Sequence, residues 1–304
     1  VLTVVKAKKR TAPSQARNLL GIIKRLFAWA VDQRTYGIGV SPAAGLKPTS
    51  IIGEKPSGQR ILDDSELFAL WRAAGRIPYP YGPVYRLLIL TGLRLNEAAD
   101  AARTEFDPAV AALLRSDAPD KLDRLKSLPA DKRVWIIPAE RMKGRAGKAR
   151  AHAVPLTDDI LAVVAALPVF RAGGPYLFST TFGEKPAWLS DKVKKRVDAR
   201  MLRTLRALTR SRRDDPGAVK LVPWKNHDIR RTVRSNLSRL RVTEEAREAL
   251  LAHARPGIKG VYDRYDYWDE KWEALNLWAA RLNSITGLAA GKGNVISLHS
   301  IAQG

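Results

Sequence analysis

The sequence predicts a mainly helical protein with a small antiparallel β-sheet, in which a short N-terminal helical part precedes a larger domain. Over several long stretches the apolar residues recur at three- and four-residue steps, the period of one helix face. Two short runs, Val134 to Pro138 and Ala151 to Leu156, instead carry the β-branched and aromatic content of paired strands. Between Ser50 and Gln59 the composition turns to Pro, Gly, Ser and Lys with no sustained period, which marks a linker.

Taken in order, Ala16, Leu19, Leu20, Ile23, Phe27, Ala30 and Val31 predict an amphipathic helix from Pro13 to about Gln33. Its other face carries Arg17, Lys24, Arg25 and Arg34, a solvated face or a DNA-facing one. Beyond the linker, Asp63 with Glu66 three residues on forms a capping-box signature, and a helix through Trp71 follows. An apolar helix over Tyr85 to Leu90 breaks at Thr91-Gly92 and resumes at Leu93 to Ala99. Arg94 therefore sits at a helical corner, with Glu97 near enough to orient it. Asp107 to Arg133 is expected to be an insertion of short polar helix and loop. The two strands flank a basic hairpin, Arg141 to Arg150, with glycines at its bend. A capped helix spans Thr157 to Leu167, and Gly173 to Phe178 is a turn into a short buried stretch. From Ser190 onward Val193, Val197, Met201, Leu205 and Leu208 mark one helix face, while Lys192, Lys194, Lys195, Arg196, Arg200, Arg203, Arg206 and Arg210 crowd the rest.

Composition narrows the function. Across 304 residues, 53 Lys+Arg against 30 Asp+Glu leave a net charge of +23, a field suited to a polyanion and foremost to nucleic acid. An anionic membrane surface is the competing partner, but no apolar run approaches the roughly 20 residues that span a bilayer, and no signal-peptide pattern is visible. With zero cysteines the chain has no disulfide, thiolate nucleophile or Cys-ligated zinc, which fits a reducing cytoplasm. Neither a carboxylate cluster suitable for two metal ions nor a phosphate-binding glycine loop followed by Lys-Ser/Thr is found in the sequence.

The chemistry concentrates between Trp224 and Tyr267. Asn226 is a suitable N-cap, which makes His227 and Asp228 the first helical residues and sets Arg230 on the face of His227. A helix N-terminus attracts anions, and a guanidinium fork beside it suits two phosphate oxygens. His253 follows the Glu244 to Ala252 helix, and Tyr262, Tyr265 and Tyr267 are candidate nucleophiles.

Jointly, Thr91-Gly92-Leu93-Arg94 with Asn96-Glu97, Pro138 to Lys143 before a Val-Pro-Leu strand, His227-x-x-Arg230, His253, Tyr262 nine residues later and Trp278 beyond it form one ordered pattern. It resembles the catalytic domain of the phage integrase or tyrosine recombinase family, of the kind carried by prophages and genomic islands. The likeness covers about Arg60 to Leu282, with a fainter one over Pro13 to Leu46. It implies a partial helical core-binding, DNA-binding region and linker at 1–57, a catalytic domain at 58–285 and a flexible tail at 286–304. The N-terminal part is shorter than a full core-binding domain, and the arm-binding domain typical of such integrases is not in the sequence.

The resemblance implies a site-specific recombinase that cuts and rejoins DNA through a 3′-phosphotyrosyl bond, without nucleotide or metal, to integrate or excise a mobile element. Tyr262 would attack the phosphodiester, Arg94 and Arg230 clamp the non-bridging oxygens, Lys143 protonate the departing 5′-oxygen, His227 act as base and His253 hydrogen-bond the phosphate, with Glu97 in support. The spacing from His253 prefers Tyr262 over Tyr265 and Tyr267. Arg25, Arg141, Arg145, Lys148, Arg150, Lys195 and Arg231 are expected at the DNA. Expected partners are double-stranded attachment-site DNA, three further copies of the chain in a tetramer, and accessory DNA-bending or directionality factors. A C-terminal helix over Trp272 to Leu282 could dock on a neighbouring protomer, and the setting is the bacterial cytoplasm. A type IB topoisomerase-like enzyme and a catalytically idle DNA-binding regulator of the same fold remain the alternatives.

Overall fold

The computed structural model describes residues 1–55, 58–143, 150–170, 173–253 and 266–287. The chain divides into two compact units, Val1–Gln59 and Arg60–Gly304.

The first unit contains helices α1 (Leu2–Thr11), α2 (Pro13–Gln33) and α3 (Pro48–Ile52). Pro13 explains the break between the first two: it lacks the N–H that would continue α1, and its fixed φ suits the first turn of α2. Val5, Ala16, Leu20 and Ile52 form a small core edged by Ile23, Leu46 and Ile51. Arg17 donates to the Gly53 carbonyl at 2.5 Å and ties α2 to the end of α3. The sequence places only linker where α3 forms, because five residues starting with a proline are too few to show a period. The basic face of α2 carries exposed Arg25.

In the second unit follow α4 (Asp64–Arg76), α5 (Tyr81–Thr91), α6 (Leu95–Ala99), α7 (Pro108–Leu114), α8 (Lys121–Lys126), β1 (Val134–Ile137), β2 (His152–Pro155), α9 (Asp158–Ala165), α10 (Asp191–Ser211), α11 (Asn226–Arg239), α12 (Glu244–Leu250) and α13 (Trp268–Thr286). The fold is mainly helical with a two-stranded antiparallel sheet, in which Ile137 pairs with His152 and Val134 with Pro155. Asp63 and Glu66 form the expected capping box: Glu66 N donates to Asp63 Oδ1 at 2.8 Å, and Asp63 N donates to Glu66 Oε2 at 3.0 Å. Helix α10 buries Val193, Val197, Met201 and Leu208 on α4 and leaves Lys192, Lys195, Arg196, Arg203, Arg206 and Arg210 exposed. No helix among the described residues is long and apolar enough to cross a membrane.

Three expectations need correction. The Asp107 to Arg133 stretch is more than a polar insertion, because Val110, Leu113, Leu114 and Leu125 are buried in the main core. Helix α11 starts at Asn226 with Lys225 as its N-cap, one residue earlier than expected: the Asp228 carboxylate accepts the Lys225 N–H at 2.7 Å and draws that residue in. The stretch Trp272 to Leu282 lies in α13, which packs into its own domain against α4, α5, α11, α12 and β2. Trp278 is fully buried there, and its indole N–H donates to the Ile89 carbonyl of α5 at 2.7 Å. Each aliphatic side chain that α13 buries, Leu275, Leu282 and Ile285 among them, contributes about 1.5–3 kcal/mol. The expected tail beyond residue 287 lies outside the described residues.

Candidate active site

The site is built where the corner between α5 and α6 meets the start of α11 and the end of α12. Gly92 closes α5 in the left-handed region at φ 65°, a conformation that glycine adopts without steric cost. A Cβ at this position would stand 2.9 Å from Leu251 Cδ2 and 3.1 Å from Val233 Cγ1, so the glycine also permits a close approach of α11 and the end of α12. The chain then turns into α6 with Arg94 as its N-cap residue.

Buried Glu97 organises the corner. Its Oε2 accepts the Arg94 backbone N–H at 2.8 Å, its Oε1 accepts Arg94 Nη1 at 2.5 Å, and Oε2 lies 4.0 Å from Arg230 Nη1. One carboxylate thus stands between two guanidiniums that would otherwise repel each other. Arg230 is only 2% exposed. Its Nη1 donates to the Gly92 carbonyl at 3.0 Å and its Nη2 to the Leu251 carbonyl. Two of its five N–H groups are so occupied, and its buried Nε has no hydrogen-bond partner among the described residues. Burial, then repulsion from Arg94, pushes the Arg230 pKa down to about 10 against the pull of Glu97 and Glu248, so the group stays charged at neutral pH. A buried, charged and incompletely paired guanidinium is a strong anion receptor.

Both histidines belong to this neighbourhood. Partial shielding from solvent, with the nearby Arg231 and Arg230 guanidiniums, holds His227 below its ordinary range against Asp228. Burial and Arg230 likewise hold His253 down, opposed by Glu248. The His253 Nδ1 meets Glu248 Oε2 at 2.5 Å. Burial works against the charge of Glu248, but hydrogen bonds from Arg234 and His253 outweigh it and keep this carboxyl below its usual pKa. An ionised carboxylate only accepts, so Nδ1 carries the proton and Nε2 of the neutral ring is left with a lone pair. An arriving phosphate would draw a second proton onto the ring and turn Nε2 into a donor.

The remaining candidate residues are distributed as follows. Lys143 is exposed and makes no hydrogen bond or ion pair with a described residue. Arg141 is engaged internally: Nη1 donates to the Glu105 carboxylate at 2.5 Å, and Nη2 to the Asn96 and Glu97 carbonyls at 2.8 Å each, which fastens the base of the hairpin to α6. Arg231 pairs with Asp228, while Lys195 and Arg150 are exposed. Arg145, Lys148, Tyr262 and Tyr265 lie outside the described residues. Tyr267 adopts φ 54° as the N-cap residue of α13.

Two buried groups beside this cluster escape sequence reasoning. His152 in β2 is 5% exposed, and its buried Nε2 has no hydrogen-bond partner among the described residues. Burial, then the charges of Lys271 and Arg230, lower its pKa to about 3. Lys271 in α13 is 1% exposed and donates to the Ala153 carbonyl at 3.2 Å and to Asp266 Oδ1 at 2.9 Å. An inward histidine in an alternating strand is a weak signal, and a lysine within an amphipathic helix gives none.

No family model matches the sequence. Over 300 residues, 97% of the chain, it is 26% identical to the prophage integrase IntZ of Escherichia coli (strain K12). The chain spans 61% of that relative's length. Among solved structures, the integrase from mycobacterium phage Brujita aligns with a TM-score of 0.42 at 14% identity, over 99% of this chain and 83% of that one. The chain is thus similar to a prophage integrase along nearly its whole length.

Proposed function

We propose that the protein is a site-specific DNA recombinase that cleaves and rejoins strands through a covalent 3′-phosphotyrosyl intermediate, and that it integrates or excises a mobile element. The observation that carries this is the convergence of Arg94, Glu97 and Arg230, with His227 and His253 in the same field, around a buried guanidinium with N–H groups to spare. In this mechanism the Tyr262 oxygen attacks the scissile phosphorus as His227 accepts the phenolic proton. The bond to the 5′-oxygen breaks, and Lys143 supplies that oxygen with a proton. Arg94 and Arg230 stabilise the charge that grows on the non-bridging oxygens, where preorganised donors contribute most. The 5′-hydroxyl of the partner strand reverses the step, and the phosphotyrosine conserves the bond energy. The exposed cations of α10, with Arg25, Arg150 and the hairpin residues Arg145 and Lys148, would track the phosphate backbone. A tetramer on two DNA segments, with accessory DNA-bending or directionality factors, in the bacterial cytoplasm, completes the proposal.

The test uses nicked suicide duplexes tiled across the DNA that borders the coding sequence. The unaltered protein should form an adduct that survives a denaturing gel, and Tyr262→Phe should abolish it while retaining DNA binding. An adduct with Phe at 262 would reassign the nucleophile to Tyr265 or Tyr267. Binding without any adduct would favour a regulator of the same fold, and site-independent relaxation of supercoils a topoisomerase.

A further inference from the structure

The arm that bears Lys143 leaves β1 at Ile137 and passes through a short turn, Ala139–Arg141, to Met142. A buried carboxylate holds it on both sides of that turn. Glu105 ends the short helical turn between α6 and α7, and its side chain is 7% exposed. Its Oε2 accepts the indole N–H of Trp135 in β1 at 2.9 Å and the Ala102 N–H at 3.3 Å. Both carboxylate oxygens meet Nη1 of Arg141 at 2.5 Å. Glu105 therefore grips the strand before the turn and the arginine that ends it.

The other half of the Arg141 fork reaches the arginine corner. Its Nη2 donates to the Asn96 and Glu97 carbonyls of α6 at 2.8 Å each, where carbonyls near a helix C-terminus favour a cation. Glu97 is thus shared. Its carboxylate orients Arg94 and stands 4.0 Å from Arg230, while its backbone oxygen receives Arg141. Lys143 follows Arg141 by two residues, a span of at most about 7 Å of chain. A planar fork that bridges a carboxylate and two carbonyls fixes an orientation that an ammonium or an apolar side chain at 141 could not.

We propose that Arg141, held by Glu105, is a positioning residue that sets the Lys143 arm in register with the Arg94 and Arg230 guanidiniums. It acts through Lys143 and does not itself bind a DNA phosphate. The brace stands on geometry alone, while its use in proton donation rests on the proposed function.

The experiment compares the suicide duplex that the unaltered protein cleaves with the same duplex carrying sulfur in place of the bridging 5′-oxygen at the scissile phosphate. Attack by the tyrosine then forms the same O–P bond and breaks a P–S bond, and the sulfur departs as a thiolate. With a thiol pKa of about 8.5, that leaving group needs no proton donor. Arg141→Gln and Glu105→Gln should cleave the oxygen duplex at least about tenfold more slowly and the sulfur duplex at close to the unaltered rate, the pattern expected of Lys143→Ala. Arg141→Lys keeps the charge and the stem but not the fork, and should show the same pattern even if a neutral variant unfolds. The salt slope of DNA binding should be unaltered in Arg141→Gln, whereas loss of a phosphate contact would lower it by roughly 0.9. Equal slowing on both duplexes, an unaltered rate on the oxygen duplex, or a lowered slope overturns the proposal. Hydrogen exchange on the full chain without DNA reads the brace separately. The Arg141 and Met142 amides donate to the Pro138 and Ala139 carbonyls at 3.0 Å each, and peptides covering 139–143 should exchange at least about tenfold faster in the variants while those of α4 and α5 keep their rates. Unchanged exchange there also overturns the proposal. Should the unaltered protein form no adduct, the recombinase function fails and the exchange result still decides the brace.

Discussion

Glu97 lets two like charges share one neighbourhood. Its carboxylate is 3% exposed and meets Arg94 directly and Arg230 at 4.0 Å. Replacing it by glutamine keeps the shape and one acceptor but removes the compensating charge, and a broken buried ion pair leaves its partner unpaid. Glu97→Gln is therefore expected to destabilise the domain by about 3 kcal/mol, seen as a lower urea midpoint at unchanged slope. Adduct formation should fall as well, because the Arg94 fork loses the anchor that directs it. His253 shows the same economy, since Glu248 fixes its tautomer and thereby decides what its free nitrogen can do.

At the scale of elements, the corner between α5 and α6 is set by one residue without a side chain. Gly92→Ala imposes a left-handed φ on a residue that resists it, and drives a methyl group against Leu251 and Val233. The expected loss is about 1–3 kcal/mol by chemical denaturation, with a weaker grip of the Gly92 carbonyl on Arg230. The Thr-Gly break was legible in the sequence for this local reason. So were α2, the capping box at Asp63 and the buried face of α10, whose signals lie within a few residues of one another. Helices α1 and α3 give no such signal, because short segments bounded by proline leave no sustained period. The buried faces of α7 and α8 are equally silent, because their few apolar residues are buried by partners distant in sequence. Lys271 and Ala153 lie 118 residues apart, and Trp278 and Ile89 189 apart, separations at which no local pattern speaks. The candidate site was legible as residue types in order, whereas the roles of Arg141 and His152 arise only from what tertiary packing places beside them.

For the whole molecule, acid should be the adverse direction. His152 titrates at about 3 in the folded chain, against an ordinary 6.5 that it regains on unfolding. Between these values the unfolded chain binds the proton and the folded chain does not. Stability is thus fully present above about pH 6.5 and is lost as pH falls from there toward 3, at up to about 1.4 kcal/mol per pH unit for this one group. Urea titrations at a series of pH values should show a shallower acid loss in His152→Gln than in the unaltered protein, and equal slopes would remove His152 as the cause. Helix α13 has a consequence for how the protein is made. It packs on α4, the first helix of its unit, so the core cannot close until the chain has been synthesised through Thr286 and has left the ribosome. Until then a strongly basic nascent chain emerges beside polyanionic ribosomal RNA with its arginine cluster unassembled. The helix that closes this core therefore times the appearance of the phosphate receptor to the emergence of residue 286 from the ribosome.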